Sequence, residues 1–284
     1  MSRFFIWLLA VALAGTLAGG LAVAWYYQRI KAPWPMADQC VADVADASVP
    51  LDVDQSHYAS IIAGLSVRRG LAPRAATIAL ATVYQESGIR NLDYGDRDSL
   101  GLFQQRPSQG WGTEKQVMDP YHATNRFYDA LVRIRGWESG DVNDMAQAVQ
   151  RSGHPNGYRR HVENARRIAS SLTGETPASF SCRISNPPVS NPSGFADFAE
   201  RTLPTAAKIT AEVDRVTIRS RTQQQAWSAA HIAVANAGWF GVSRVTVAGQ
   251  TWTASRTSLA PWTGEAGGGT TTTVYFDVAP GSEG

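Results

Sequence analysis

Residues 84–104, YQESGIRNLDYGDRDSLGLFQ, bring together Glu86, Asp93, Asp96 and Asp98 with three glycines and a closing Gly-Leu-Phe-Gln. One protonated carboxyl and one ionised carboxylate facing each other across a cleft form the usual apparatus for breaking a glycosidic bond. Glycines allow a backbone to approach a sugar closely, and the Gln104 amide offers both a donor and an acceptor. A calcium loop is the rival reading of Asp93, Asp96 and Asp98. Their spacing departs from the 1, 3, 5 pattern of an EF-hand, and the Glu at position 12 is absent. The five His residues contain no HExxH pair, so a metal hydrolase is not expected, and neither metal nor cofactor is called for.

Glu86 must be positioned by a helix. Pro73 suits a first turn, PRAATIALATVYQES suits the body, and Gly88 suits a left-handed end. At 100° per residue, Glu86 lies within about 20° of Ala75 and Ala79 and about 60° from Val83. It therefore borders a small, apolar side of the helix, a setting that favours the protonated form of an acid.

Neighbouring segments read as further helices. Ser56 is the expected cap of a helix carrying Tyr58, Ile61, Ile62 and Leu65, and Asp119-Pro120 opens another that Gly136 closes. Asp141 caps VNDMAQAVQ, with Val142, Met145, Ala146 and Val149 on one face. A last helix places Tyr158, Val162, Ala165, Ile168, Ala169 and Leu172 together, before Gly174.

The order QES, GDR, GLFQ resembles the goose-type lysozymes, and ES followed by GLFQ is similar to the soluble lytic transglycosylases. Both families cleave the β-1,4 link between N-acetylmuramic acid and N-acetylglucosamine in peptidoglycan, on a helical lysozyme-like fold. The resemblance covers residues 56–174. It implies Glu86 as general acid and Asp96 as the carboxylate that positions water, with Asp98 as the alternative. It also implies Gly101, Leu102 and Gln104 along the sugar groove. AVQRSG, residues 148–153, stands where these families carry AYN-x-G, which brings Gln150 to the substrate and sets Val149 where they have Tyr. Trp111 and Tyr158 are candidate stacking rings, with core packing the first reading of each. Lytic transglycosylases need only the one Glu, because the 6-hydroxyl of the sugar replaces water.

The remaining sequence frames this segment. A formal charge of +2 gives no argument for nucleic acid, although Arg151, Arg159, Arg160, Arg166 and Arg167 cluster around a lone Glu163. Phe4 to Tyr27 carries no charge and is long enough to span a bilayer as a helix, with Trp25, Tyr26 and Tyr27 at one interface. The expectation is an uncleaved anchor at residues 1–27, with a cleavable leader ending near Ala24 as the rival. Cys40 and Cys182 are the only cysteines, and in an exported protein they are expected to pair.

The expected organisation is a stalk at 28–55, a mainly α lysozyme-like domain at 56–182, a Pro/Ser/Asn linker at 183–194 and a small β-α-β-β domain at 195–284. RVTIRS, SRVTVAGQTWTA and TTTVYFDVA supply the strands, and TQQQAWSAAHIAVANAGW supplies the helix. Trp227, Trp239, Trp252 and Trp262 are read mainly as core. The expected function is cleavage of peptidoglycan glycan strands outside the cytoplasm. The alternative is a non-catalytic, membrane-anchored glycan-binding scaffold whose C-terminal part recruits a protein partner.

Overall fold

The computed structural model describes residues 37–277 and the helical positions 16, 19–21, 23 and 25. The chain forms two compact units, residues 1–37 and 38–284. Most of the expected membrane span at residues 4–27 lies outside the described residues. Among the described residues no helix is long and apolar enough to cross a membrane.

The second unit opens with a hairpin where an irregular stalk is expected. Strands β1 (Gln39–Val44) and β2 (Ala47–Leu51) turn through Ala45 and Asp46, both with positive φ. Positive φ at both central positions matches the right-handed twist of the strands, but Ala-Asp is a weak signal for it. Pro50 is tolerated because β2 is an edge strand. Strand β3 (Phe180–Arg183) pairs on the other side of β1, setting Cys182 opposite Cys40, and the two form the expected disulfide.

Helix α1 (Val53–Arg68) begins after a reciprocal cap in which Asp52 accepts from the Gln55 amide N–H and the Gln55 side chain accepts from Asp52 N–H. Ser56 lies inside this helix instead of capping it and donates to Val53 O and Ala235 O. Helix α2 (Pro73–Ser87) has Pro73 in its first turn and ends at Gly88 with φ 65°, as the sequence predicts. A short α3 (Glu114–Val117) leads to α4 (Pro120–Leu131), capped by Asp119. Asp141 caps α5 (Val142–Gln150), and a 3-10 turn at Arg159–His161 runs into α6 (Val162–Leu172). Helix α2 packs along α6 and against α1 and α5.

The C-terminal third holds more than β-α-β-β. Helix α7 (Pro192–Thr202) and strand β4 (Lys208–Ala211) come first. Strand β5 (Arg215–Arg219), helix α8 (Gln223–Ala235) and the short α9 (Ala237–Phe240) follow. The chain ends in β6 (Val242–Val247), β7 (Gln250–Thr253) and β8 (Thr271–Phe276). These strands form one antiparallel sheet in the order β4-β5-β8-β6-β7. Strand β4 escapes a periodicity reading because it is short and mostly exposed at the sheet edge.

The fold class of a mainly α domain followed by a small β-α-β-β domain is therefore corrected. Two antiparallel sheets share one hydrophobic core with the helices. Helix α8 joins them, packing on α1, α6 and β3 as well as on β6 and β8, and Ala226 to Ala235 are buried without exception. Trp227 and Trp252 are core residues, as expected, whereas Trp239 is exposed and stacks on His57 at 4.0 Å.

His231 sits at the middle of α8, fully buried, with Nδ1–H donating to Ser171 O at 2.7 Å and Nε2 unpartnered. Burial lowers its pKa to about 4 from 6.5. A depressed His pKa means that the unfolded chain takes up a proton that the native state refuses. Stability is then complete above pH 6.5 and falls as pH drops from 6.5 to 4, by about 3 kcal/mol at most. Urea midpoints at pH 7 and pH 4.5 will show that loss, and His231→Asn will flatten most of it, leaving the contribution of buried His57, whose pKa is also lowered by burial. The disulfide closes a loop across 142 positions. Replacing both cysteines by serine will lower stability by about 3–5 kcal/mol, seen as a fall in melting temperature that reductant reproduces in the unmutated protein.

Candidate active site

The last turn of α2 carries Gln85, Glu86 and Ser87, all half-buried, while Ala75, Ala79 and Val83 behind them are fully buried. The Tyr158 hydroxyl donates to Glu86 Oε1 at 2.7 Å. Glu86 Oε2 has no protein partner among the described residues. Burial pushes the Tyr158 hydroxyl far above the usual tyrosine range, and the adjacent Glu86 carboxylate adds to this. Tyr158 therefore stays a donor through the whole physiological range. Its ring is completely buried, so it is a fixed strut against Glu86 and offers no surface for a sugar to stack on.

Ser87 ties the helix to the Gly-Leu-Phe-Gln segment. Its hydroxyl donates to Leu102 O at 2.7 Å and accepts from Arg90 N–H at 3.2 Å. Gln150, at the end of α5, donates from Nε2 to Phe103 O at 2.8 Å. Glu86, residues 101–104, Gln150 and Tyr158 are thus gathered by hydrogen bonds from three separate stretches of chain. Ser87 was visible in the sequence motif but had no role there, because its partner is a carbonyl fifteen residues away.

The three groove residues take different positions. Leu102 is buried with Phe103 in the core. Gly101 has φ 77° and a Cβ there would lie 2.3 Å from Val117 O, so the position admits only glycine. Gln104, with φ 47°, donates to Tyr94 O and Gly101 O, both at 3.2 Å, and closes the loop that carries the aspartates. Of the three, only Gln104 keeps a partly exposed side chain.

The aspartates also divide. Asp98 binds Arg106 at 2.7 Å and accepts from Ser108 N–H at 2.8 Å. The Arg106 guanidinium, with Ser108, holds the Asp98 carboxyl well below the usual carboxylate range. That carboxylate is neutralised by a structural partner and is not available to activate water. Asp96 stands in solvent, its side chain 91% exposed, with Arg97 at 3.9 Å. A cavity of about 610 Å³ runs under the Asp93–Leu100 loop to Glu114, Lys115 and Met118, and Glu86 is not among its lining residues.

On the other flank of Glu86, Tyr84 stacks on His161 with ring centroids 5.2 Å apart and planes within 7°. Arg160 donates to Gln85 Oε1 at 3.0 Å, and burial, aided by Arg160, lowers the His161 pKa. Sequence reading missed this cluster, since Tyr84 and His161 are far apart in the chain and neither belongs to a motif. Trp111 is only partly buried and packs on the core. Among the described residues no His, Cys, Asp and Glu group could hold a metal ion.

No family model matches this chain, and no curated protein is similar enough to it to match.

Ser87→Ala removes a half-buried donor from Leu102 O and an acceptor from Arg90 N–H. Stability will fall by about 1–2 kcal/mol. Amide hydrogen exchange will quicken over residues 99–105 before it does in α4 or α6, because the loop loses its tie to α2 while the rest of the core stays packed.

Proposed function

We propose that this chain cleaves the β-1,4 bond between N-acetylmuramic acid and N-acetylglucosamine in peptidoglycan, with Glu86 as the single general acid and base. The observation that carries the reading is the Tyr158–Glu86 hydrogen bond. It fixes one carboxyl oxygen against a buried phenol and leaves the other without a protein partner among the described residues. A carboxyl fixed at one oxygen meets the geometric requirement for proton transfer at the other.

Glu86 Oε2 donates its proton to the bridging oxygen as the bond from C1 of the muramic sugar breaks and positive charge spreads over C1 and the ring oxygen. The 6-hydroxyl oxygen of that sugar then bonds to C1, and its proton passes to Glu86. The products are a 1,6-anhydro end and a free 4-hydroxyl, with no water consumed and Glu86 reprotonated. The pairing of Asp98 with Arg106 and the exposure of Asp96 favour this single-carboxylate course over hydrolysis. The disulfide agrees with a place outside the cytoplasm, where peptidoglycan is found.

Incubation with isolated peptidoglycan, followed by mass spectrometry of released fragments, tests this. Anhydro-muramyl ends are expected from the unmutated protein, with at least a 10³-fold loss in Glu86→Gln and a loss of about 10- to 100-fold in Tyr158→Phe. Asp96→Asn is expected to stay within about threefold of the unmutated rate. Reducing muramic ends would make the protein a hydrolase. Wall binding without any release, by the unmutated protein and Glu86→Gln alike, would overturn the enzymatic reading and leave a glycan-binding scaffold.

A further inference from the structure

The five-stranded sheet buries one face and leaves the other open. Val216, Ile218, Val245, Val274 and Trp252 point into the core, while their neighbours along each strand point away from it. On the open face the pairing aligns Thr210, Thr217, Thr273, Thr246 and Thr251, one threonine from every strand, in a single row. None is buried, and none of the five hydroxyls has a protein hydrogen-bond partner among the described residues. Strands lie about 4.8 Å apart, so the row presents a hydroxyl at that interval over about 19 Å.

The flanking rows carry positive charge. Arg244 lies over the Tyr275 ring, 4.0 Å from its centroid, and Arg215 pairs with Tyr275 from the other side. Lys208 sits opposite Arg219 in the next row. Glu212 and Asp214, at the turn between β4 and β5, are both paired with Arg215. Among the described residues Lys208, Arg219 and Arg244 have no carboxylate partner, and Asp277 lies one residue past β8.

We propose that this open face binds an anionic glycan chain laid across the strands along the threonine row. The hydroxyl interval is close to the length of one sugar residue in an extended chain. Hydroxyls that both donate and accept match sugar hydroxyl and acetamido groups, and the three cations without a carboxylate partner among the described residues match negative charges along the polymer. This site is separate from Glu86 and does not depend on its chemistry.

The test uses full-length Glu86→Gln protein, so that cleavage cannot alter the probe, and measures binding to carboxymethyl chitin. Neutral glycol chitin and single-stranded DNA are the comparators. The combined variant Thr217→Val, Thr246→Val and Thr273→Val removes three hydroxyls and keeps branched side chains suited to a strand, and circular dichroism and melting will confirm its fold. Tenfold or greater weakening toward carboxymethyl chitin is expected, as is a similar loss in Arg219→Gln/Arg244→Gln accompanied by a shallower salt dependence. Glycol chitin should bind more weakly than the anionic polymer. Unchanged affinity in a folded threonine variant would overturn the proposal. So would DNA binding as tight as glycan binding, with the threonines irrelevant, because that pattern would mark a face that senses charge alone. Failure of the peptidoglycan cleavage assay leaves this binding result intact, so the two readings fail separately.

Discussion

The structure depends on the burial of α8 from every side. Ala226, Ala229, Ala230 and Ala233 give it a slim cross-section, which lets α1, α6 and β3 approach on one flank while β6 and β8 approach on the other. A helix apolar all round has no solvent face and must lie inside a core. Gly174, with φ 77°, allows the end of the helical region to pass against the start of α8, since a Cβ there would lie 2.0 Å from Gln224 O. Ser228 donates to Leu172 O, and Asn236 donates to Ser60 and to Ile232 O. These bonds satisfy polar groups that the close approach would otherwise leave stranded.

That arrangement also explains why the disulfide lies where it does. Strand β1 precedes the helical region and β3 follows it, so their pairing draws the two ends of that region together, and the bond between Cys40 and Cys182 fixes the closure. Trp252 and Trp262 then bond to Ser181 and Phe180 O, which joins β3 to the larger sheet's side of the core. The Glu86 end of α2 is joined to the chain just past β2, where Gln55 Nε2–H donates to Gly88 O at 2.9 Å and Arg90 pairs with Asp52. Ser87, Gln150 and Tyr158 complete its support.

Polar satisfaction around Glu86 divides the carboxylates into distinct chemical roles. Tyr158 is buried, permanently protonated and bonded to one Glu86 oxygen; Arg106 consumes Asp98; Asp96 is left in water. Composition alone cannot separate these fates, because all three acids occur within thirteen residues of one another and belong to the same polar run. What separates them is a phenol from residue 158 and a guanidinium from residue 106, each delivered by the fold.

The sequence by itself determined the local elements with strong end signals: Pro73 to Gly88, Asp119-Pro120, Asp141 and the pairing of the two cysteines. Capping, proline and glycine act within a few residues, so their meaning survives without tertiary context. It also singled out Glu86, Gln104, Gln150 and Tyr158, and of the two roles open to Tyr158, packing and stacking, burial leaves packing. Tertiary structure alone decided that β1, β2 and β4 exist, because β2 and β4 are short edge strands and β1, central between β2 and β3, is a short run with no alternating burial. It alone decided that α8 unites the helices and the sheet in one core. The threonine row likewise belongs to the register of five strands, since residues that are neighbours across a sheet are set by hydrogen-bond pairing and leave no spacing in the chain.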